Sequence, residues 1–264
     1  MIPLDPKIVN RLSKNGIPKE EFEEKVGDDL ALEMLKAQGL NVVLHSKAYK
    51  FRTSLTPVND TLFCIVDVET NGSKTAHHQI IEIGAVRFQN GKIIDTFESL
   101  VHCESISDAI AEITGISVEQ TIHAPPLSKV MSDFRLYLGD AVFVGHDAKF
   151  DYKFVSAMME RAGLGVLLNR QLCTIDLAER TFESERYGLR YLNEMYDLHS
   201  EATYHRALSD AITTTNLLAQ VLPMVPKNVQ TTEELIAFSK EAARMKRLKP
   251  APLVIPAKTG EVAI

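Results

Sequence analysis

The stretch Phe63-Cys64-Ile65-Val66-Asp67-Val68-Glu69-Thr70-Asn71-Gly72 constrains this chain more than any other. Side chains alternate faces along a strand, so Asp67 and Glu69 share a face with Phe63 and Ile65. Cys64, Val66 and Val68 take the opposite face. A strand apolar on both faces belongs at the centre of a sheet covered on both sides. Two carboxylates at its end, just before an Asn71-Gly72 turn, are costly unless a cation holds them. Taken alone, the pair reads equally well as two exposed acids at a strand-loop junction, so the rest of the chain must decide.

After Thr61 the periodicity is clear. Ile80 to Phe88 predicts a second strand, and Asn90-Gly91 is a strong hairpin signal leading to a third over Lys92 to Val101. Helices are expected over 107–113, 125–138, 149–162, 189–195 and 206–222, with strands at 141–144 and 172–175. Three antiparallel strands followed by alternating helix and strand imply an α/β fold with a mixed five-stranded sheet. Residues 1–60 read as a small extension of short helices and a hairpin, either winged-helix-like or an irregular helical appendage. Thr56 to Asp60 is a turn-rich boundary. Residues 61–225 form the main domain, and 226–264 a C-terminal helix and tail. Thr231 or Thr232 caps that helix, whose stripe runs from Leu235 to Met245. Arg244, Lys246, Arg247 and Lys249 crowd its end, where cations suit the helix dipole. Pro250 to Ile264 reads as an extended tail.

Charge narrows the function classes. Residues 61–225 hold 13 basic and 22 acidic residues, whereas residues 226–264 are net +3. An acidic main body argues against a protein that coats DNA non-specifically, yet permits an enzyme that grips a strand end through metal ions. No apolar run reaches membrane-spanning length, and the N-terminus lacks a signal-peptide pattern. Cys64, Cys103 and Cys173 lack CxxC spacing and read as reduced packing residues of a cytoplasmic protein.

Two more acidic positions fall where a sheet enzyme would place them. Asp151 lies just inside the helix after the fourth strand, and Asp210 lies in the first turns of the helix that follows His205. Each alone is an ordinary helix-start acid. Together, four carboxylates and a histidine at strand ends and helix starts can hold two hard cations, Mg²⁺ or Mn²⁺, through oxygen. Such a pair serves phosphoryl transfer, with the histidine as general base.

The order Asp67-x-Glu69, Asp151, His205-x4-Asp210 resembles the DEDDh exonucleases, of ribonuclease H-like fold. The segments Ile80-Ile81-Glu82-Ile83-Gly84-Ala85, Ile113-Thr114-Gly115-Ile116, Ala124-Pro125-Pro126 and Gly145-His146 support the likeness over residues 61–222. Within that family it is most similar to proofreading epsilon subunits of bacterial DNA polymerase III and their stand-alone homologues. The resemblance implies a 3′–5′ exonuclease releasing nucleoside 5′-monophosphates from a DNA 3′ end, in proofreading. Trimming of RNA or short oligonucleotides is the alternative, and an inactive scaffold a weaker one. It also implies metal ligation by Asp67, Glu69, Asp151 and Asp210, with His205 as base. Thr70, Asn71, Gly72, Thr114 and Gly115 would lie against the terminal nucleotide. The implied partners are a nucleic-acid 3′ end and a DNA polymerase catalytic subunit, with no membrane. Asp147 departs from the asparagine common in the family, and Asn71 from its usual threonine.

Overall fold

The computed structural model describes residues 5–203 and 205–248. The N-terminal module runs α1 (Pro6–Ser13), β1 (Ile17–Pro18), α2 (Lys19–Val26), α3 (Asp29–Ala37), β2 (Val42–His45) and β3 (Ala48–Phe51). Asp28 caps α3 by accepting from Ala31 N at 2.9 Å, which satisfies one of the orphan donors at a helix start. Ser46 and Lys47 both take positive φ, closing the β2–β3 hairpin with the twist its strands require. The sheet order is β1-β3-β2. Two residues are too few for β1 to show a period in the sequence.

The main domain follows as β4 (Phe63–Thr70), β5 (Ile80–Gln89), β6 (Lys92–Leu100), α4 (Asp108–Thr114), α5 (Val118–Thr121), α6 (Leu127–Leu138), β7 (Val142–Gly145), α7 (Ala148–Arg161), β8 (Gln171–Cys173), α8 (Thr174–Ala178), α9 (Leu189–Tyr196), α10 (Ala207–Val221) and α11 (Thr232–Glu241). The five strands order as β6-β5-β4-β7-β8. β4 is therefore central, antiparallel to β5 and parallel to β7. Its two faces feed two cores. Cys64, Val66 and Val68 pack with α6 and α7, while Phe63 and Ile65 pack with α8, α10 and α11. This is the expected ribonuclease H-like α/β arrangement, a mixed sheet covered by helices on both sides.

Two expectations need correction. The strand expected over Leu172–Ile175 ends at Cys173, because the Thr174 hydroxyl turns back to the Gly145 carbonyl at 3.2 Å and α8 starts there. The C-terminal helix stops at Glu241, so Arg244, Lys246 and Arg247 lie beyond its last turn. Ala242 is extended, and the chain crosses to Glu179, which is 5% exposed. Arg244 and Arg247 reach that carboxylate at 2.9 and 2.8 Å, and Met245 N donates to the Glu179 carbonyl at 2.7 Å. A buried carboxylate left without cations would cost several kcal/mol, on the order of 3–5, which outweighs another helical turn. The expected tail over 250–264 lies outside the described residues.

The boundary at 56–60 is gripped rather than loose. Val58 N donates to the Gln230 carbonyl at 3.0 Å and Thr232 N to the Thr56 carbonyl at 3.1 Å. The Thr53 hydroxyl donates to Glu233 at 2.8 Å, and Arg170 stacks on Phe51 while donating to the same Glu233. Thr231 and Glu234 form a reciprocal capping box that starts α11. Thr231→Ala is expected to cost about 1 kcal/mol, read as a lower urea midpoint.

Candidate active site

β4 carries Asp67 and Glu69 to the sheet's end, opposite Gly84 and Glu82 of β5. Gly84 lets a helix land on the sheet at this level. A Cβ there would sit 2.1 Å from Leu208 N and 2.3 Å from the Ala207 carbonyl carbon. The start of α10 thus presses on β5 beside Asp67, and Asp210 follows in its first turn. His205 precedes it with φ of 61°, an uncommon conformation for a non-glycine residue. Its backbone N–H donates to Asp210 Oδ2 at 3.1 Å. Glu69, His205 and Asp210 each offer a ligand atom, all within 4.8 Å of one another.

Asp151 comes from the other helical layer, in the first turn of α7, and is 4% exposed. Gly145 clears its space, since a Cβ there would meet Asp151 Oδ2 and Ala148 Cα at 2.9 Å each. Asp147 at the head of α7 has φ of 85°. Asn and Asp are the non-glycine residues that tolerate this region, which explains how one replaces the other at this position. Its charge has a consequence: after burial, Asp147 is the next cause of the raised Asp151 carboxyl.

The site resists ionisation. Burial first, then Asp151, Asp210 and Glu69, push Asp67 well above the usual carboxylate range. Burial and then Asp210 and Glu82 push Glu69 up to about 7. Asp210 is also raised, chiefly by burial, and its Oδ1 is buried with no hydrogen-bond partner. Like charges converging around an orphaned oxygen fit a cation site. An oxygen-rich donor set suits a hard divalent ion.

These shifts predict a pH dependence for the metal-free protein. A carboxylate raised by folding binds more protons in the folded than in the unfolded state, so stability falls as pH rises from about 4.5 towards 7. The part due to Glu69 is the difference from Glu69→Gln, expected at roughly 2 kcal/mol after allowing for partial exposure. Thermal unfolding of both proteins at pH 5 and pH 7 in chelator measures it. Equal pH slopes would remove Glu69 as the cause.

The expected substrate-contacting residues divide. Asn71 uses both ends of its amide within its own surroundings, accepting from Gln79 N at 2.8 Å and donating to the Ser105 carbonyl at 3.2 Å. The Thr70 hydroxyl donates to the Gly72 carbonyl at 2.9 Å. Thr114 is 4% exposed and donates to the Ile110 carbonyl, while Gly115 ends α4 in the left-handed conformation. The Thr70, Asn71 and Thr114 side chains each make a hydrogen bond to their own surroundings. Ile113 is the apolar group left open there, 56% exposed. His146 is no second base. Its Nε2 donates to the Tyr187 carbonyl at 2.8 Å, and burial pulls it down to about 4.

Sequence reasoning gave Glu82 and Arg206 no role. Glu82 is 1% exposed in a central strand and accepts from Arg206 Nε at 3.0 Å, Arg206 Nη2 at 2.7 Å and Ala207 N at 2.9 Å. The signal was available: a lone acid inside the apolar run Ile80 to Val86, and a cation directly after His205.

Comparison with known proteins agrees with this geometry. Residues 64–218 match the exonuclease family RNase_T. The chain is 30% identical over 202 residues to a DNA polymerase III PolC-type of Staphylococcus aureus (strain bovine RF122 / ET3-1). That match covers 75% of this chain and 14% of the polymerase. A solved structure of Exonuclease X in complex with 5′ overhanging duplex DNA is 25% identical with a TM-score of 0.55. It covers 67% of this chain and 99% of that one. E. coli Exonuclease I with a dT13 oligonucleotide shares the fold, with a TM-score of 0.55 at 15% identity, covering 61% of this chain and 41% of that one. Among the described residues no helix is long and apolar enough to cross a membrane. The acid-lined sheet end, the residues matched and these relatives together place the chain in the DEDDh-type 3′–5′ exonuclease family.

Proposed function

We propose that the chain hydrolyses the last phosphodiester of a DNA 3′ end, releasing nucleoside 5′-monophosphates, and does so in proofreading. One observation carries the reading: Glu69, His205 and Asp210 converge within 4.8 Å around a buried, unpaired oxygen of Asp210. Asp67, Glu69, Asp151 and Asp210 would hold two divalent cations, Mg²⁺ or Mn²⁺, which when bound stabilise charge on the attacking and leaving oxygens. His205 stands at the open side of the carboxylates and takes the proton of the attacking water. Asp210 contributes twice, by its carboxylate and by holding the His205 backbone through Oδ2. Ile113 supplies an apolar surface for the terminal base, and the backbone at Gly72 lies alongside.

DNA as substrate is supported by the DNA complexes of the Exonuclease X and Exonuclease I structures. A proofreading setting with a polymerase partner is supported by the PolC-type relatives. The order helix, strand, two helices and hairpin in residues 6–51 supports a winged-helix-like reading of the module. The outer face of its α3 carries Asp29, Leu30, Glu33 and Met34, all exposed, a surface unsuited to phosphates.

The test is mononucleotide release from 3′-labelled single-stranded DNA, mismatched duplex and RNA with Mg²⁺ or Mn²⁺. DNA, and mismatched ends above paired ones, should be degraded fastest. His205→Ala should lower kcat by about 10²–10⁴-fold while keeping oligonucleotide binding. Preference for RNA would overturn the substrate, and no release from any strand would overturn the enzyme.

A further inference from the structure

The Glu82–Arg206 pair lies beside the carboxylate cluster and ligates nothing in the reading above. Glu82 is almost wholly buried, opposite Glu69 in the β4–β5 register. Its two oxygens take three donors: Arg206 Nε, Arg206 Nη2 and the first backbone N–H of α10 at Ala207. A charged fork that spans a strand and a helix start fixes both distance and angle. Arg206 is also the residue directly after His205, and its backbone is extended at φ −123°. His205 itself is left-handed and exposed, and its N–H is tied to Asp210. The loop that carries the base is thus tied to α10 by Thr203 N on Ser209 Oγ at 2.9 Å and by His205 N on Asp210, whereas Arg206 on Glu82 is its tie to the sheet. A second carboxylate, Glu98 on β6, lies 3.8 Å from Arg206 and steadies the guanidinium from the solvent side.

We propose that Arg206, anchored by Glu82, is a positioning residue that holds His205 in register with Glu69 and Asp210. The pair also keeps a fifth acid turned away from the metal ligands, since all of its described bonds run to Arg206 and α10. Without the fork, the left-handed turn at His205 loses its anchor on the sheet and its side chain samples positions away from the attacking water. A displacement of about 1 Å at a catalytic group costs up to about 10²-fold in rate.

This inference rests on the exonuclease reading, and the experiment separates the two. Single-turnover rates on a 3′-labelled oligonucleotide are measured for wild type, Arg206→Ala, Arg206→Lys, His205→Ala and the double variant His205→Ala/Arg206→Ala. Mn²⁺ binding is followed by electron paramagnetic resonance, and folding by thermal unfolding. Arg206→Ala should lower kcat about 10- to 100-fold with KM and Mn²⁺ affinity within about threefold of wild type. Arg206→Lys, which keeps the charge and loses the fork, should recover only part of the rate. In the His205→Ala background, Arg206→Ala should cost less than about twofold, because the residue it positions is gone. A full loss persisting in that background, or Mn²⁺ affinity falling in step with kcat, would overturn the proposal. If Arg206→Ala does not fold, the same comparison is made with Arg206→Lys. An inactive wild type would instead defeat the exonuclease reading itself.

Discussion

Asp67→Asn is expected to remove nuclease activity by at least about 10³-fold and, in the same protein, to raise metal-free stability by about 1–2 kcal/mol. Both effects come from one arrangement. Asp67 sits on the central strand, where burial first and then Asp151, Asp210 and Glu69 raise it. The amide keeps the shape and removes the ionisable group, so the cost of burying it among the acids falls while one of the proposed metal ligands is lost. Calorimetric unfolding in chelator and mononucleotide release with Mn²⁺ read the two sides. A metal-free Asp67→Asn that melts below wild type would mean that the carboxylates are not repelling one another. Adding Mn²⁺ should reverse the order of melting temperatures, because only wild type gains binding energy from it.

Gly84→Ala is expected to cost about 3 kcal/mol and to lower kcat by about 10²-fold. The added methyl would lie 2.1 Å from Leu208 N, which is helix backbone and has no rotamer to change. Relief requires α10 to back away from β5, and Asp210 and His205 go with it. Gly188→Ala is the control. Its φ is −69° and nothing lies within 4 Å of the added carbon, so its urea midpoint should stay within about 0.5 kcal/mol of wild type. A Gly84→Ala protein with wild-type kcat would show that the helix start tolerates displacement, contrary to the geometry described.

The catalytic sheet was legible because its signals are local. Asn90 and Gly91 take the positive φ values their hairpin needs, and Phe63 to Val68 alternates between two cores as its pattern implied. The positions of Asp67, Glu69, Asp151, His205 and Asp210 were legible as motif spacing. The side-chain duties of Asn71 and Thr114 were not, because each is decided by a partner that spacing does not show: Gln79 and Ser105 for the one, the α4 backbone for the other. The end of α11 was misjudged for the same reason. Helical periodicity continues through Met245, and the placement of Glu179 and Arg180, far earlier in the chain, breaks it. Glu82 was noted only as part of the segment Ile80 to Ala85, and its pairing with Arg206 went unread because a lone acid in a strand carries no period of its own.

The grip of residues 230–233 on residues 53–61 bears on how the molecule is made. These contacts join positions separated by 171 to 180 residues, such as Thr61 with Thr232 and Thr53 with Glu233. Closing so long a loop is entropically unfavourable and is repaid only once both sides exist. During synthesis the N-terminal module and the β4–β6 meander emerge first, and domains fold as they leave the ribosome. Asn90 N donates to the Asn59 carbonyl at 3.1 Å and Leu168 N to the Gln38 carbonyl at 2.9 Å, so part of the junction forms earlier, but the bonds to 230–233 wait until the chain has been extended past Glu233. The last helix is therefore a late-arriving clasp, and a nascent chain stalled before it would hold a nearly complete catalytic sheet with its module held by the earlier contacts alone.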